Sequence, residues 1–287
     1  MIRLVAFDLD GTVLSGLNRA SEASIEAIRA LVKRGVGVAS VSGRNVEKSQ
    51  EPFAAVPDLA AAMFIGSYNG AVVLNSATDG PRRLLREERL PEAEFREVMD
   101  YIGAKGLNFV YCRCEVGKEG VEETYMTDRE TESVRGLAML TGMRFVFDTG
   151  LISRIGDGEL GPSPKLIVMP GKERRDAVLE EMRQAFGGRL YMARTGEDRI
   201  EMMHLEANKG VALRAIALAY GVSAGEVLAV GDGDNDLPML QEAGVGVLVE
   251  SADEVTRQAA REAGVRMAPA FEAEGFAETV YRYVLDA

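Results

Sequence analysis

A chain of 287 residues with 47% hydrophobic and 27% charged residues suits a globular protein of one large domain or two ordinary ones, with a sizeable buried core. Its 33 Lys and Arg against 45 Asp and Glu give a formal net charge of −12, which argues against a nucleic-acid or anionic-membrane partner, while a small phosphorylated substrate needs only local positive charge. No stretch approaches the ~20 apolar residues of a membrane span, and the apolar run at the N-terminus meets Asp8 too soon for a signal peptide; two cysteines unsuited to a disulfide make a reduced, cytoplasmic setting the expected one.

Ile2 to Phe7 reads as a short buried strand ending in two carboxylates, Asp8 and Asp10, followed by Gly11 and Thr12. Residues i and i+2 of a strand face one way, so both acids are expected on the same side of the strand end. Like charges held that close repel unless a hard cation such as Mg²⁺ sits between them. A loop whose acids cap a turn is the plainer alternative. Residues 21–34 read as a helix that Ser21 can cap, with a stripe of Ile25, Ile28, Leu31 and Val32 and Gly35 at its end. Val36 to Val41 is a near-continuous apolar run, as in a parallel strand buried on both faces, and it ends in Ser42-Gly43-Arg44. A hydroxyl and free N–H groups before a helix suit a phosphate oxygen, and a serine cap is the alternative. Ala60 to Ile65 is a third strand-like run, ending near Tyr68-Asn69-Gly70-Ala71. This alternation predicts a doubly wound, mostly parallel α/β sheet of Rossmann-like type, with ligands beyond the strands' C-terminal ends, where Asp8 and Ser42 fall.

The pattern then changes. Val72–Leu74 and Arg82–Arg86 suggest a hairpin around Asp79-Gly80-Pro81. Helices expected over 92–105, 129–141 and 172–186 alternate with strand-like runs at 108–114, 122–126, 144–147, 165–169, 189–193 and 198–203, and 148–164 reads as a loop. An α+β unit is therefore expected at 82–195, interrupting a core made of 1–81 and 196–287. Cys112 and Cys114 sit two apart in a strand-like run. A disulfide between them would be strained and no second pair completes a zinc site, so both are expected as small residues on a buried face. His204 is the only histidine, and nothing near it resembles a nucleophile–base pair.

From Glu206 the strand–helix alternation resumes. Ala207, Val211, Ala212, Ala215, Ile216 and Ala219 form a helical stripe. Lys209, in the first turn, opposes the helix dipole unless it neutralises an anion; a solvated surface lysine is the alternative. A strand at 227–230 ends in Gly231-Asp232-Gly233-Asp234-Asn235-Asp236. A calcium loop starting at Asp232 would need Gly at its sixth place and Glu at its twelfth, where Leu237 and Ala243 stand. Three acids without a nearby basic residue are costly in the absence of a cation. A strand at 244–249, a helix at 253–263 and a helical end complete the chain.

The order of Asp8-Leu9-Asp10-Gly11-Thr12, Ser42-Gly43-Arg44, Asn208-Lys209-Gly210 and Gly231 to Asp236 resembles the haloacid dehalogenase-like phosphatase superfamily. Tyr68-Asn69-Gly70-Ala71, Asn208 to Gly210 and Gly233 to Leu240 are most similar to its Cof-like subfamily, which carries a large α/β cap. The likeness covers essentially the whole chain, although the insert matches a cap only in size and strand–helix order. It implies that Asp8 is a nucleophile forming an aspartyl-phosphate, and that Asp10 protonates the leaving alkoxide and then activates water. Mg²⁺ would be held by Asp8, the main-chain carbonyl of Asp10 and Asp232. Ser42, Lys209, Asn235 and main-chain amides near Leu9 and Gly43 would hold phosphoryl oxygens, with Thr12 and Asp236 in support and Asp234 structural.

The resemblance implies a Mg²⁺-dependent hydrolase of a small phosphorylated metabolite, with sugar phosphates the favoured class. No nucleic-acid or membrane partner is expected, and the protein would be a monomer or weak homodimer. Substrate choice would rest with the cap, where Arg113, Lys165, Arg194 and Arg199 are each read as surface charges. A phosphomutase of the same superfamily fits the motifs equally. A non-catalytic Mg²⁺- and phosphate-binding regulatory module is a third reading, and Asp10 counts against it, because a binding module needs no general acid.

Overall fold

The computed structural model describes residues 1–14, 18–250 and 252–287. Fourteen strands follow one another along the described chain. The first five are β1 (Leu4–Phe7), β2 (Gly37–Val41), β3 (Met63–Ser67), β4 (Val72–Leu74) and β5 (Leu84–Glu87). Six follow in the insert: β6 (Asn108–Gly117), β7 (Gly120–Thr127), β8 (Phe145–Phe147), β9 (Lys165–Met169), β10 (Leu190–Thr195) and β11 (Arg199–His204). The last three are β12 (Val227–Gly231), β13 (Val245–Val249) and β14 (Arg266–Ala268). The chain divides into two compact units, Met1–Glu87 with Lys118–Gly120 and Asn208–Ala287, and Glu88–Gly117 with Val121–Ala207.

In the first unit eight strands lie in the order β14-β13-β12-β1-β2-β3-β4-β5. The run from β14 to β3 is parallel, and β4 and β5 close the edge antiparallel. Successive side chains of β1 feed opposite cores. Val5 and Phe7 join Ile28 and Leu31 of the helix Glu22–Lys33. Leu4 and Ala6 join Ala212, Leu213 and Ile216 of the helix Lys209–Tyr220. Burial on both faces is the physical reason the strands read as unbroken apolar runs. The chain winds outward from β1 through β2 and β3 on one side, and from β12 through β13 and β14 on the other. The β1/β12 pair is therefore the topological switch point, where the loops beyond two neighbouring strand ends diverge and leave a crevice.

In the second unit the order is β10-β11-β9-β6-β7-β8. One face carries the helices Glu92–Lys105 and Arg175–Phe186, whose Phe95, Val98, Leu179 and Met182 pack with Phe109, Leu166 and Val168 of the sheet. Cys112 and Cys114 are both buried thiols, as expected of small residues on an inward face.

The architecture is the expected α/β sheet interrupted by an α+β unit, with the edges of that unit moved. Strand β5 pairs with β4, so the first unit runs to Glu87 and the turn at Asp79-Gly80-Pro81 lies inside it. Strand β11 pairs with β9 and β10, so the insert runs to Ala207 rather than to 195. In both places a turn signal marked a hairpin within a sheet rather than a boundary between units. A short helix, Leu151–Gly156, occupies the stretch read as a loop, anchored by buried Leu151 and Ile155. Strand β14 also escaped the local pattern, being only three residues long. Among the described residues no helix is long and apolar enough to cross a membrane.

Candidate active site

Asp8 is the first residue beyond β1, and its N–H continues the ladder to the Val230 carbonyl at 2.9 Å. Lys209 opens its helix, with Asn208 as the cap through a 3.0 Å bond from the Val211 N–H. The ammonium is 1% exposed and donates at 2.6 Å to both Asp8 Oδ1 and Asp236 Oδ1. Asp236 is fully buried, and its Oδ2 accepts from the N–H groups of Asp232 at 2.9 Å and Gly233 at 2.8 Å. Both its oxygens are thus engaged. Asp232 is half-buried and accepts from the Thr12 hydroxyl at 3.4 Å. One carboxylate oxygen each from Asp8, Asp232 and Asp236 lies within 4.8 Å of the others.

The electrostatics follow from that crowding. Burial, with repulsion from Asp236, pushes the Asp8 carboxyl up to about 8 even though Lys209 pulls it down. Burial and Asp236 push Asp232 up to about 6. Burial works against the charge of Lys209, but Asp236 and Asp8 outweigh it and raise its pKa. Among the described residues three carboxylates crowd round the Lys209 ammonium, and the negative charge left over suits a hard divalent cation with oxygen ligands. Asp8 and Asp232 each keep an oxygen outside the hydrogen bonds just described, so they fit as ligands, whereas Asp236 serves to fix Lys209 and the loop.

Asp10 is not one of the three carboxylates gathered within 4.8 Å, although its charge acts on Asp232. Strand β1 ends at Phe7, so the two-residue period from which Asp8 and Asp10 were expected on one side does not extend to them. The Asp10 side chain is 59% exposed and is held bidentately by Arg44, through Nε at 2.7 Å and through Nη2. Arg44 also donates to Asn18 Oδ1 and to the Lys48 carbonyl at 3.2 Å. Gly11, directly after Asp10, has φ +78°, and a Cβ there would lie 2.1 Å from Asp232 Oδ2. Gly11→Ala is therefore expected to lower stability by more than about 1 kcal/mol, because it meets both an unfavourable φ and a clash. Urea unfolding checks this, and a wild-type midpoint would show that the loop yields.

Ser42 is buried beyond β2, and its Oγ accepts the Arg44 N–H at 3.3 Å. The helix that follows, Val46–Gln50, is short and is capped by Asn45, whose Oδ1 accepts the Lys48 N–H at 2.9 Å. Neither a serine cap nor an extended helix terminus describes Ser42. Leu9 is buried, and its carbonyl accepts the N–H groups of Val13 at 3.0 Å and Leu14 at 2.7 Å. Asn235 donates through Nδ2 to Asn69 Oδ1 at 3.1 Å, and the same Asn69 oxygen lies 3.1 Å from where a Cβ on Gly43 would stand. Asp234 is exposed.

A family model described as haloacid dehalogenase-like hydrolase matches residues 5–265. The chain belongs to that family. This hydrolase is 24% identical over 267 residues to the putative phosphatase YxeH of Bacillus subtilis, covering 88% of each chain. It is 26% identical over 260 residues to the 5-amino-6-(5-phospho-D-ribitylamino)uracil phosphatase YcsE of the same organism, covering 90% of this chain and 88% of that one. Its fold is shared with the crystal structure of TM0651 from Thermotoga maritima, at a TM-score of 0.82 and 22% identity over 98% of this chain and 97% of that one. It is an enzyme of the hydrolase class, and phosphatases stand among its relatives.

Two residues of the candidate site were not singled out from sequence. Arg44 and Asn69 stood inside recognised motifs, but what each touches depends on loops brought together only by the sheet. In the inserted unit the surface-charge reading fails for Lys165, which is buried against Glu201 at 3.0 Å, and for Arg199, buried against Asp198 at 3.2 Å. It holds for Arg113 and Arg194, which remain exposed beside Glu115 and Asp176. His204, the last residue of β11, accepts the Glu206 N–H at 3.0 Å and lies 3.7 Å from the Glu88 carboxylate.

Proposed function

We propose that this hydrolase is a Mg²⁺-dependent phosphatase of small phosphorylated metabolites that works through an aspartyl-phosphate on Asp8. The observation that carries the reading is the Asp8–Lys209–Asp236 relay beside Asp232 at the switch point of the sheet. A buried carboxylate fixed by an ammonium through one oxygen can offer the other to phosphorus. As the Asp8 oxygen bonds to phosphorus, the bond to the substrate's ester oxygen breaks, and Asp10 supplies the proton that the departing alkoxide needs. Asp10 then takes a proton from water, which attacks the phosphorus and frees Asp8. Lys209, Ser42, Asn235 and the main-chain amides near Leu9 and Gly43 are assigned to the phosphoryl oxygens, where charge accumulates.

Asp8, Asp232 and the Asp10 carbonyl are the groups proposed to hold Mg²⁺, which when bound offsets the repulsion between an anionic nucleophile and an anionic substrate. Thr12 and Asp236 support that set, through Asp232 and through Lys209. The inserted unit is assigned the choice of substrate, as a cap domain. A phosphorylated sugar or polyol is the favoured class, in line with the phosphoribityl group in the name of the YcsE substrate, and the proposed setting is the cytoplasm.

The test is phosphate release from p-nitrophenyl phosphate and from a panel of sugar and polyol phosphates, with Mg²⁺ and with chelator. Release that depends on Mg²⁺ and includes a panel member is the expected result. Release unaffected by chelation would overturn the metal assignment. A requirement for a bisphosphate, with the phosphoryl group returned to a sugar, would reveal a mutase. Binding of phosphate without any turnover would leave a regulatory module.

A further inference from the structure

The loop after β3 carries three consecutive residues in the left-handed region. Tyr68, Asn69 and Gly70 all have positive φ, at 52°, 54° and 96°. Glycine and asparagine tolerate that region, but a buried tyrosine is an outlier there. Such a conformation persists only where the surroundings over-determine it. The surroundings here are three other loops. The Tyr68 N–H donates to the Arg44 carbonyl at 2.8 Å and the Asn69 N–H to the Ser42 carbonyl at 2.9 Å. Gly70 lies so close to the cap of the Lys209 helix that a Cβ on it would stand 2.5 Å from the Asn208 carbonyl. The Asn69 carboxamide oxygen accepts from Asn235 Nδ2 at 3.1 Å.

The geometry points to Asn69 as a positioning residue of the phosphoryl site, acting through Asn235; this rests on the phosphatase reading above. A carboxamide nitrogen carries two donors and a carboxamide oxygen none. Asn69 Oδ1 takes one donor, which dictates which way round Asn235 stands, since a flipped Asn235 would set oxygen against oxygen. The second N–H of Asn235 is thereby left for an anion. The same side chain is buried beside Gly43, so it has little room to turn away from Asn235.

The probe is orthovanadate with Mg²⁺, titrated calorimetrically into wild type, Asn69→Gly, Asn235→Ala and the double variant, alongside KM and kcat where a substrate is turned over. Asn69→Gly keeps the freedom of φ and removes the acceptor. It is expected to weaken orthovanadate about tenfold, as for a hydrogen bond serving a charged group. In the Asn235→Ala background the same change should cost about twofold or less, because its route of action is gone. KM is expected to rise more than kcat falls. Thermal melts report folding, and Asn69→Ser, too short to reach Asn235, stands in should the glycine variant not fold. Equal binding by wild type and Asn69→Gly overturns this inference alone, as do losses that multiply in the double variant. Wild type that binds no orthovanadate overturns the phosphoryl-site reading and this inference with it.

Discussion

Asp8→Asn is expected to lower phosphate release by about 10⁴-fold or more while leaving the protein folded. The substitution keeps the shape of the side chain and removes the anionic oxygen that would attack phosphorus. It should not cost stability, because burial already penalises charge at this position and pushes the carboxyl up to about 8. Lys209 keeps its 2.6 Å bond to Asp236, so the ammonium is not orphaned. Release from p-nitrophenyl phosphate with Mg²⁺, measured beside a thermal melt, checks both halves. Turnover that survives in a purified, contaminant-free variant would sink the nucleophile assignment. A collapse in melting temperature would instead show that the Asp8–Lys209 pair holds the fold.

Lys209→Met should do the opposite to stability. The ammonium bridges Asp8 and Asp236, and a buried pair broken from one side leaves uncompensated charge. The expected cost is about 3–5 kcal/mol, together with loss of activity. The pH dependence has a definite sign. A carboxyl whose folded pKa is raised adds stability at low pH and loses it as pH rises through the folded value, here about 8 for Asp8 with the lysine present. Without the lysine that folded value rises further. The variant should therefore be most destabilised in alkaline solution and recover as pH falls. Urea unfolding at pH 6 and pH 9, with and without Mg²⁺, reads this out. An equal loss at both values, untouched by Mg²⁺, would mean that the methionine fails by packing and that charge compensation is not the role of Lys209.

Asp10 and Lys209 show where local reading ends. Both were picked out as site residues from their motifs. Period-two alternation placed Asp10 beside Asp8, yet the strand stops at Phe7 and Asp10 pairs with Arg44 instead. The helix dipole marked Lys209 as unusual but left a solvated lysine as an alternative, and only the packed structure shows the ammonium closed between two carboxylates. Lys165 was missed as buried for the same reason, since its ion pair with Glu201 crosses neighbouring strands and has no signature along either one.

What this sequence determined by itself is what travels with the local chain: apolar runs long enough for strands buried on both faces, helix stripes with a cap at Ser21, and the four motifs of the candidate site. Those depend on steric preference and periodicity over a few residues. The tertiary structure decided the rest. It set the strand order that makes neighbours of Asp8 and Asp232, the ends of the inserted unit at β5 and β11, and the contacts that Arg44 and Asn69 make across loops. Each of these is a pairing between residues far apart in the chain, and its free energy appears only when the sheet has already brought both partners together.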